Sequence, residues 1–224
     1  NILSGLTKMK ENLHKAQNRN TNNQITGVKK SVSAAYIFID IVGFSRISNL
    51  LEDHDLSDLT TEFYDVIHSI CDPLNFVKIE KLIGDEAFIS VYNRDQTDNH
   101  EATAAESIRT AIDLSKKATE LLSKNRSQRL QKLLATLSKK YNQDIKIDLK
   151  AGISYGKVHS LPFFNGELVS KVVNLAKRMS DSSGSGKIRL STTAADHLEE
   201  FAKLSRETVE VKNMGKQDSI LLDA

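Results

Sequence analysis

Two carboxylates stand where they could hold a divalent cation. Asp40 closes the apolar run Ala34-Ala35-Tyr36-Ile37-Phe38-Ile39, and Asp85 follows Gly84 at the tip of what reads as a hairpin. If the two strands are neighbours in one sheet, their ends bring the acidic oxygens together. Paired hard oxygens suit Mg²⁺ and leave coordination positions open for phosphates. Gly43, just beyond Asp40, lets a backbone approach a phosphate, and amides at a helix start attract that anion. The same residues are met equally well by Asp40 capping the next helix and Asp85 filling a turn. A second pair, Asn174 and Arg178, is spaced i, i+4 in Val173-Asn174-Leu175-Ala176-Lys177-Arg178, so both project from one helix face. An amide and a fixed guanidinium can hold a sugar and a phosphoryl oxygen together, although two polar residues on one helix face are more often a solvated stripe.

The elements that must position these groups follow from hydrophobic period. The run over 34–39 is rich in strand formers. Ile47, Leu50, Leu51, Leu59, Phe63, Ile67 and Ile70 recur at helical spacing and predict helix over 44–71. Residues 76–83 alternate, Gly84-Asp85 turns the chain, and 87–92 return as the second arm. Helix is expected over 100–141, broken near 125–127, then strand over 145–153, helix over 169–179, strand over 187–190, helix over 192–201, and two short strands within 209–222. This order predicts a mixed α/β fold with a mostly antiparallel sheet. Ahead of it, Ile2, Leu3, Leu6, Met9 and Leu13 suggest a short amphipathic helix, and 17–24 a polar linker. The expected division is therefore 1–30 as helix and linker, and 31–224 as the folded domain.

Composition narrows the chemistry. The chain has 224 residues, 39% hydrophobic and 27% charged, which is globular and argues against a disordered or disulfide-dense protein. Lys+Arg 31 against Asp+Glu 29 leaves +2, too little for a nucleic-acid binder. No run approaches the ~18 apolar residues of a membrane span. The histidines never sit at zinc-site spacing. Cys71 is the single cysteine, on the apolar side of a helix, so it is expected in the core and the protein in a reducing cytoplasm.

Four motifs then carry a resemblance. Phe38-Ile39-Asp40-Ile41-Val42-Gly43-Phe44-Ser45, Lys81-Leu82-Ile83-Gly84-Asp85, Lys150-Ala151-Gly152-Ile153-Ser154-Tyr155-Gly156 and Val173-Asn174-Leu175-Ala176-Lys177-Arg178 resemble, in order, the motifs of class III nucleotide cyclases, over roughly 34–222. The resemblance implies a ferredoxin-like palm-type domain that converts a nucleoside triphosphate to its 3′,5′-cyclic monophosphate. It implies that Asp40, Asp85 and the Ile41 carbonyl hold two Mg²⁺ or Mn²⁺ ions. Gly43, Phe44, Ser45 and Lys150 would contact phosphates, Asn174 the ribose, and Arg178 the α-phosphoryl oxygens. It further implies a homodimer with active sites at the interface, the ions held by one subunit and the base readers, Asn174 and Arg178 supplied by the other.

Base choice rests on Lys81, which stands where adenylate cyclases carry lysine and guanylate cyclases glutamate, and on Glu167, in the place of the adenine-reading residue. The pair can serve adenine or a pyrimidine. The second option is similar to the pyrimidine cyclases of bacterial anti-phage (Pycsar-type) systems, which make cyclic UMP or cyclic CMP. GTP is disfavoured. The family's terminal phosphate lysine falls on Met214, so Lys212 or Lys216 must replace it, and Lys216 is the expected one. Two rivals are a catalytically inactive cyclase-like binding domain and a diguanylate cyclase, whose hairpin Ile83-Gly84-Asp85-Glu86-Ala87-Phe88 superficially echoes.

Overall fold

The computed structural model describes residues 31–93, 100–159, 170–201 and 203–224. The amphipathic helix and linker expected before residue 31, and Glu167, lie outside these residues. Among those described, seven strands form one sheet in the order β2-β3-β1-β4-β5-β7-β6, with β1 Ser31–Ile41, β2 Val77–Ile83, β3 Glu86–Tyr92, β4 Leu149–His159, β5 Lys187–Ser191, β6 Glu207–Val211 and β7 Gly215–Asp223. Every neighbouring pair is antiparallel except β4 and β5. The expected mixed fold with a mostly antiparallel sheet is the one observed. No described helix is long and apolar enough to cross a membrane.

Strand alternation divides the sheet's side chains between two layers. On one face Ile37, Ile39, Ile89, Ile153 and Leu190 pack against Leu59 and Phe63 of α2 (Asp53–Cys71), Ile108 of α3 (His100–Thr119) and Leu130 of α4 (Gln128–Tyr141). Cys71 is buried here, and burial pushes its thiol up to about 12, so it is core and not a nucleophile. On the other face Ala34, Tyr36 and Phe38 meet Val173 and Ala176 of α5 (Lys171–Asp181). Each fully buried Ile, Leu or Phe contributes about 1.5–3 kcal/mol through water exclusion. Apolar periodicity was readable for that reason.

Several boundaries differ from expectation. The helix expected over 44–71 is two helices, α1 (Phe44–Leu50) and α2, because Leu51 and Glu52 are extended. Leu51 is buried while Tyr141 Oη accepts from the Glu52 N–H at 2.9 Å, so contacts to α4 fix a break that apolar spacing does not reveal. The long helical region breaks where expected. A π-helical turn, Glu120–Lys124, ends it, and Ser127 caps α4 by accepting from Leu130 N–H at 3.0 Å. Residues 145–148 keep the alternating burial of a strand, but β4 starts only at Leu149 and continues to His159 against the whole of β1. The helix expected over 192–201 is the short α6 (Thr192–Ala195) and a 3₁₀ turn at Glu199–Phe201.

Candidate active site

Asp40 shares its face of β1 with Tyr36 and Phe38, so alternation aims it at the α5 side of the sheet, and it is 8% exposed. The Ile41 N–H donates to the Asp85 carbonyl at 3.1 Å, which folds the β2–β3 tip against the end of β1. The Asp85 carboxyl there is pushed up to about 6, by burial first and then by its hydrogen bond to Asp40 and Asp40's charge. A buried and a half-buried carboxyl held against each other are a donor set that a cation relieves. Their hard oxygens fit Mg²⁺ or Mn²⁺.

The next turn is fixed by the Val42 N–H donating to the Asp148 carbonyl at 2.8 Å, and by Gly43 at φ 71°, a left-handed conformation that favours glycine. α1 starts there without a side-chain cap, with Phe44 and Ser45 in its first turn. Lys150 is Asp40's register partner on β4 and sets its Nζ 3.1 Å from Asp40 Oδ2. The expected phosphate lysine therefore lies directly against Asp40.

The second cluster belongs to α5. Ser170 caps it by accepting from Val173 N–H at 3.2 Å. Val173, Ala176, Met179 and Ser180 are buried, leaving Asn174 exposed and Arg178 half-buried. Asn174 and Arg178 line a cleft of ≈ 440 Å³ with Lys171, Lys212, Asn213 and Met214. Of the two candidate lysines, Lys212 lines this cleft. Lys216 lies in the β6–β7 ladder opposite Glu210, beyond the turn that carries Lys212 and Asn213. Met214, in the position of the missing lysine, packs on Leu175, Met179 and Val211.

Lys81 reaches this side of the sheet through a defect in pairing. Ile79 opposes Ile89, yet Lys81 opposes Phe88, so Glu80 is the extra residue of a β-bulge. Strict alternation from Ile79 turns Lys81 toward the α2–α4 core. The bulge puts it instead beside Phe88, which stacks on Phe38 at 4.6 Å. Three charged residues that sequence reasoning passed over also meet here. Glu86 is Asp40's register partner on β3, and Lys177 bonds Glu86. Asp181 accepts from Arg178 Nη1 at 2.9 Å. Their adjacency to Asp85, Asn174 and Arg178 was the available signal. A further acidic group, Glu52, His54 and Asp55, lies at the α1–α2 break, and its two carboxylates share the Lys140 ammonium, 2.9 Å from Glu52 and 2.7 Å from Asp55.

Residues 27–223 match the family model described as the adenylate and guanylate cyclase catalytic domain. Among curated proteins no relative matches. Among solved structures, the catalytic core of a rhodopsin-guanylyl cyclase with converted specificity, in complex with ATPαS, is 19% identical with a TM-score of 0.65, covering 88% of this chain and 99% of that one. The guanylate cyclase domain of RhGC from Catenaria anguillulae, in complex with GTP, is 19% identical at TM-score 0.64, covering 87% and 98%. The adenylyl cyclase CyaB from P. aeruginosa is 18% identical at TM-score 0.60, covering 88% and 97%. At such identities the likeness is one of fold.

Proposed function

The chain belongs to the adenylate and guanylate cyclase catalytic domain family, and from that premise we propose that two copies of it convert ATP or a pyrimidine nucleoside triphosphate to the 3′,5′-cyclic monophosphate and pyrophosphate. The observation that carries the reading is the contact between Asp40 and Asp85, two carboxylates held against each other at the sheet rim. Asp40, Asp85 and the Ile41 carbonyl would hold two Mg²⁺ or Mn²⁺ ions, whose charge, when bound, acidifies the ribose 3′-hydroxyl and neutralises the triphosphate. The 3′-oxygen attacks the α-phosphorus in line, the O–P bond to pyrophosphate breaks, and the hydroxyl proton leaves to solvent. Asn174 orients the ribose, Arg178 draws the charge that grows on the α-phosphoryl oxygens, and the Gly43-Phe44-Ser45 turn and Lys150 receive phosphate oxygens. Positioning and charge supply the rate, since the protein forms no covalent bond in such a transfer. We assign the ion-binding residues of each site to one copy and Lys81, Asn174 and Arg178 to the other, giving a homodimer with two equivalent sites.

Lys81 supports the choice of base. An ammonium only donates, so it serves an adenine ring nitrogen or a pyrimidine carbonyl, and on guanine it can reach O6 alone and leaves both N1–H and N2–H₂ to find acceptors elsewhere. Incubating the purified chain separately with ATP, GTP, CTP and UTP plus Mn²⁺, and reading products by mass spectrometry, tests the reading. A cyclic nucleotide from ATP, UTP or CTP supports it, and a cyclic pyrimidine product would join it to the anti-phage signalling cyclases it resembles. No cyclic product from any of the four overturns it in favour of an inactive binding domain. A linked dinucleotide from GTP would favour the diguanylate reading. Lys81→Glu is expected to raise kcat/KM for GTP relative to the native substrate by at least tenfold, the scale of one hydrogen-bonding group in a base pocket; an unmoved ratio removes Lys81 from that pocket.

We assign the terminal phosphate contact to Lys212, because it lines the same cleft as Asn174 and Arg178. Lys212→Ala should raise KM for the triphosphate about tenfold, the worth of one charged hydrogen bond, while Lys216→Ala leaves steady-state kinetics within about twofold. The reverse pattern would return the role to Lys216.

A further inference from the structure

A continuous run of ion pairs joins the acidic pair to the α5 arginine. Lys177 lies between Asn174 and Arg178 in sequence but faces the sheet. Its ammonium bonds the Glu86 carboxylate, stands 3.1 Å from Asp181 Oδ1 and 3.8 Å from Asp40 Oδ2, and lies 6.0 Å from the centre of the Phe38 ring. Asp181 accepts from Arg178 Nη1 at 2.9 Å. The path therefore runs from Asp40 through Lys177 and Asp181 to Arg178. It is partly withdrawn from water, with side-chain exposures of 11% at Asp40, 20% at Glu86 and 31% at Lys177. Burial pulls the Lys177 ammonium toward a lower pKa, but the bonds to Glu86 and Asp181 outweigh it and leave the group above its ordinary value.

Resting on the cyclase reading, we propose that Lys177 is a positioning residue, an internal cation shared among Asp40, Glu86 and Asp181 that links divalent-ion binding at Asp40 and Asp85 to the placement of Arg178. A fixed positive charge 3.8 Å from a ligand oxygen opposes the arrival of a divalent ion. An ion at Asp40 repels Lys177 in turn and shifts its hold toward Glu86 and Asp181. Asp181, more fully engaged by Lys177, then holds Arg178 less firmly, and the guanidinium is free to turn to a phosphoryl oxygen. Because Asp40 and Arg178 of one chain serve different sites in the dimer, ion binding at one site prepares the arginine of the other.

The test is Mn²⁺ binding to the full chain without nucleotide, by titration calorimetry, for wild type, Lys177→Met and Glu86→Gln, with Asp85→Asn as the control. Lys177→Met removes one of the two ammoniums beside Asp40 Oδ2, leaving Lys150 at 3.1 Å, and frees Glu86, and should tighten Mn²⁺ binding about tenfold. Glu86→Gln leaves Lys177 more fully on Asp40, and should weaken it about fivefold; both shifts lie at the usual scale of site coupling. Both variants should lower kcat with little change in KM, since Arg178 acts on the transition state. Opposed shifts in Mn²⁺ affinity with a shared fall in kcat support the proposal. Equal Mn²⁺ affinities in all three proteins, whatever their melting temperatures, reduce Lys177 to a structural ion pair and overturn it while the cyclase reading stands. A wild-type chain that binds no Mn²⁺ overturns both.

Discussion

Asp85→Asn should lower cyclase turnover by about 10²–10³-fold, while melting at a higher temperature than wild type in chelator above pH 6. The loss follows from removing one of two charged groups that gather positive charge at the reacting phosphate, a class of interaction worth 10²–10³-fold for a single group. The gain follows from the raised acidity constant. Partial burial and the neighbouring Asp40 push the folded Asp85 carboxyl up to about 6, while the unfolded chain releases the same proton near the ordinary 3.8. Between those values the folded state holds a proton that the unfolded state has lost, so stability falls as pH rises through the window. Above it the whole cost of a second charge beside Asp40 is present. Screening at a half-exposed rim reduces that cost to about 1–2 kcal/mol, or a few degrees of melting temperature in a domain of this size. Asparagine keeps the shape and removes the charge, so its advantage should grow from pH 4 to pH 7 and vanish below pH 4. Melting curves over that range, with and without Mn²⁺, check it. Mn²⁺ should stabilise wild type and leave the variant unmoved. Equal melting at every pH would mean that the two carboxylates do not strain the fold.

The places of the candidate site residues were legible because each sits where the backbone pattern marks it: Asp40 at the end of an apolar run, Asp85 at a hairpin tip, Asn174 and Arg178 one turn apart. Their facing was legible only where alternation held. Lys81 shows the limit, since its orientation depends on a bulge at Glu80, and two adjacent polar residues carry no sign of which one is extra. Which of Lys212 and Lys216 lines the cleft beside Asn174 and Arg178 was not legible either, because it depends on the tight turn before Gly215. The ion pairs of Lys177 join residues from β1, β3 and α5, far apart along the chain, so no local pattern could announce them. The break at Leu51 and Glu52 was hidden because Leu50, Leu51 and Leu59 all reach the same core and keep the apolar spacing across it.

Gly152→Ala is expected to leave the acidic pair in place and still lower kcat about 10²-fold. Gly152 lies on β4 opposite Phe38, under α5. A Cβ built there would stand 1.9 Å from the Ser180 nitrogen, 2.3 Å from the Ala176 oxygen and 2.6 Å from the Met179 carbonyl carbon. All three are backbone atoms, so no rotamer change relieves the clash and the helix itself must lift by more than an ångström. α5 carries Asn174, Lys177 and Arg178, whereas Asp40 and Asp85 belong to β1 and the β2–β3 tip. The lift therefore separates orientation from ion binding within one variant. A misplacement of about 1 Å at groups that orient a substrate costs on the order of 10²-fold in rate, and overpacking should cost about 1–3 kcal/mol of stability. The expected result is a folded protein with a lower melting temperature, a kcat reduced about 10²-fold, and Mn²⁺ affinity near wild type save for the share Lys177 exerts. A Gly152→Ala enzyme with full turnover would show that α5 need not lie this close to the sheet for Asn174 and Arg178 to act.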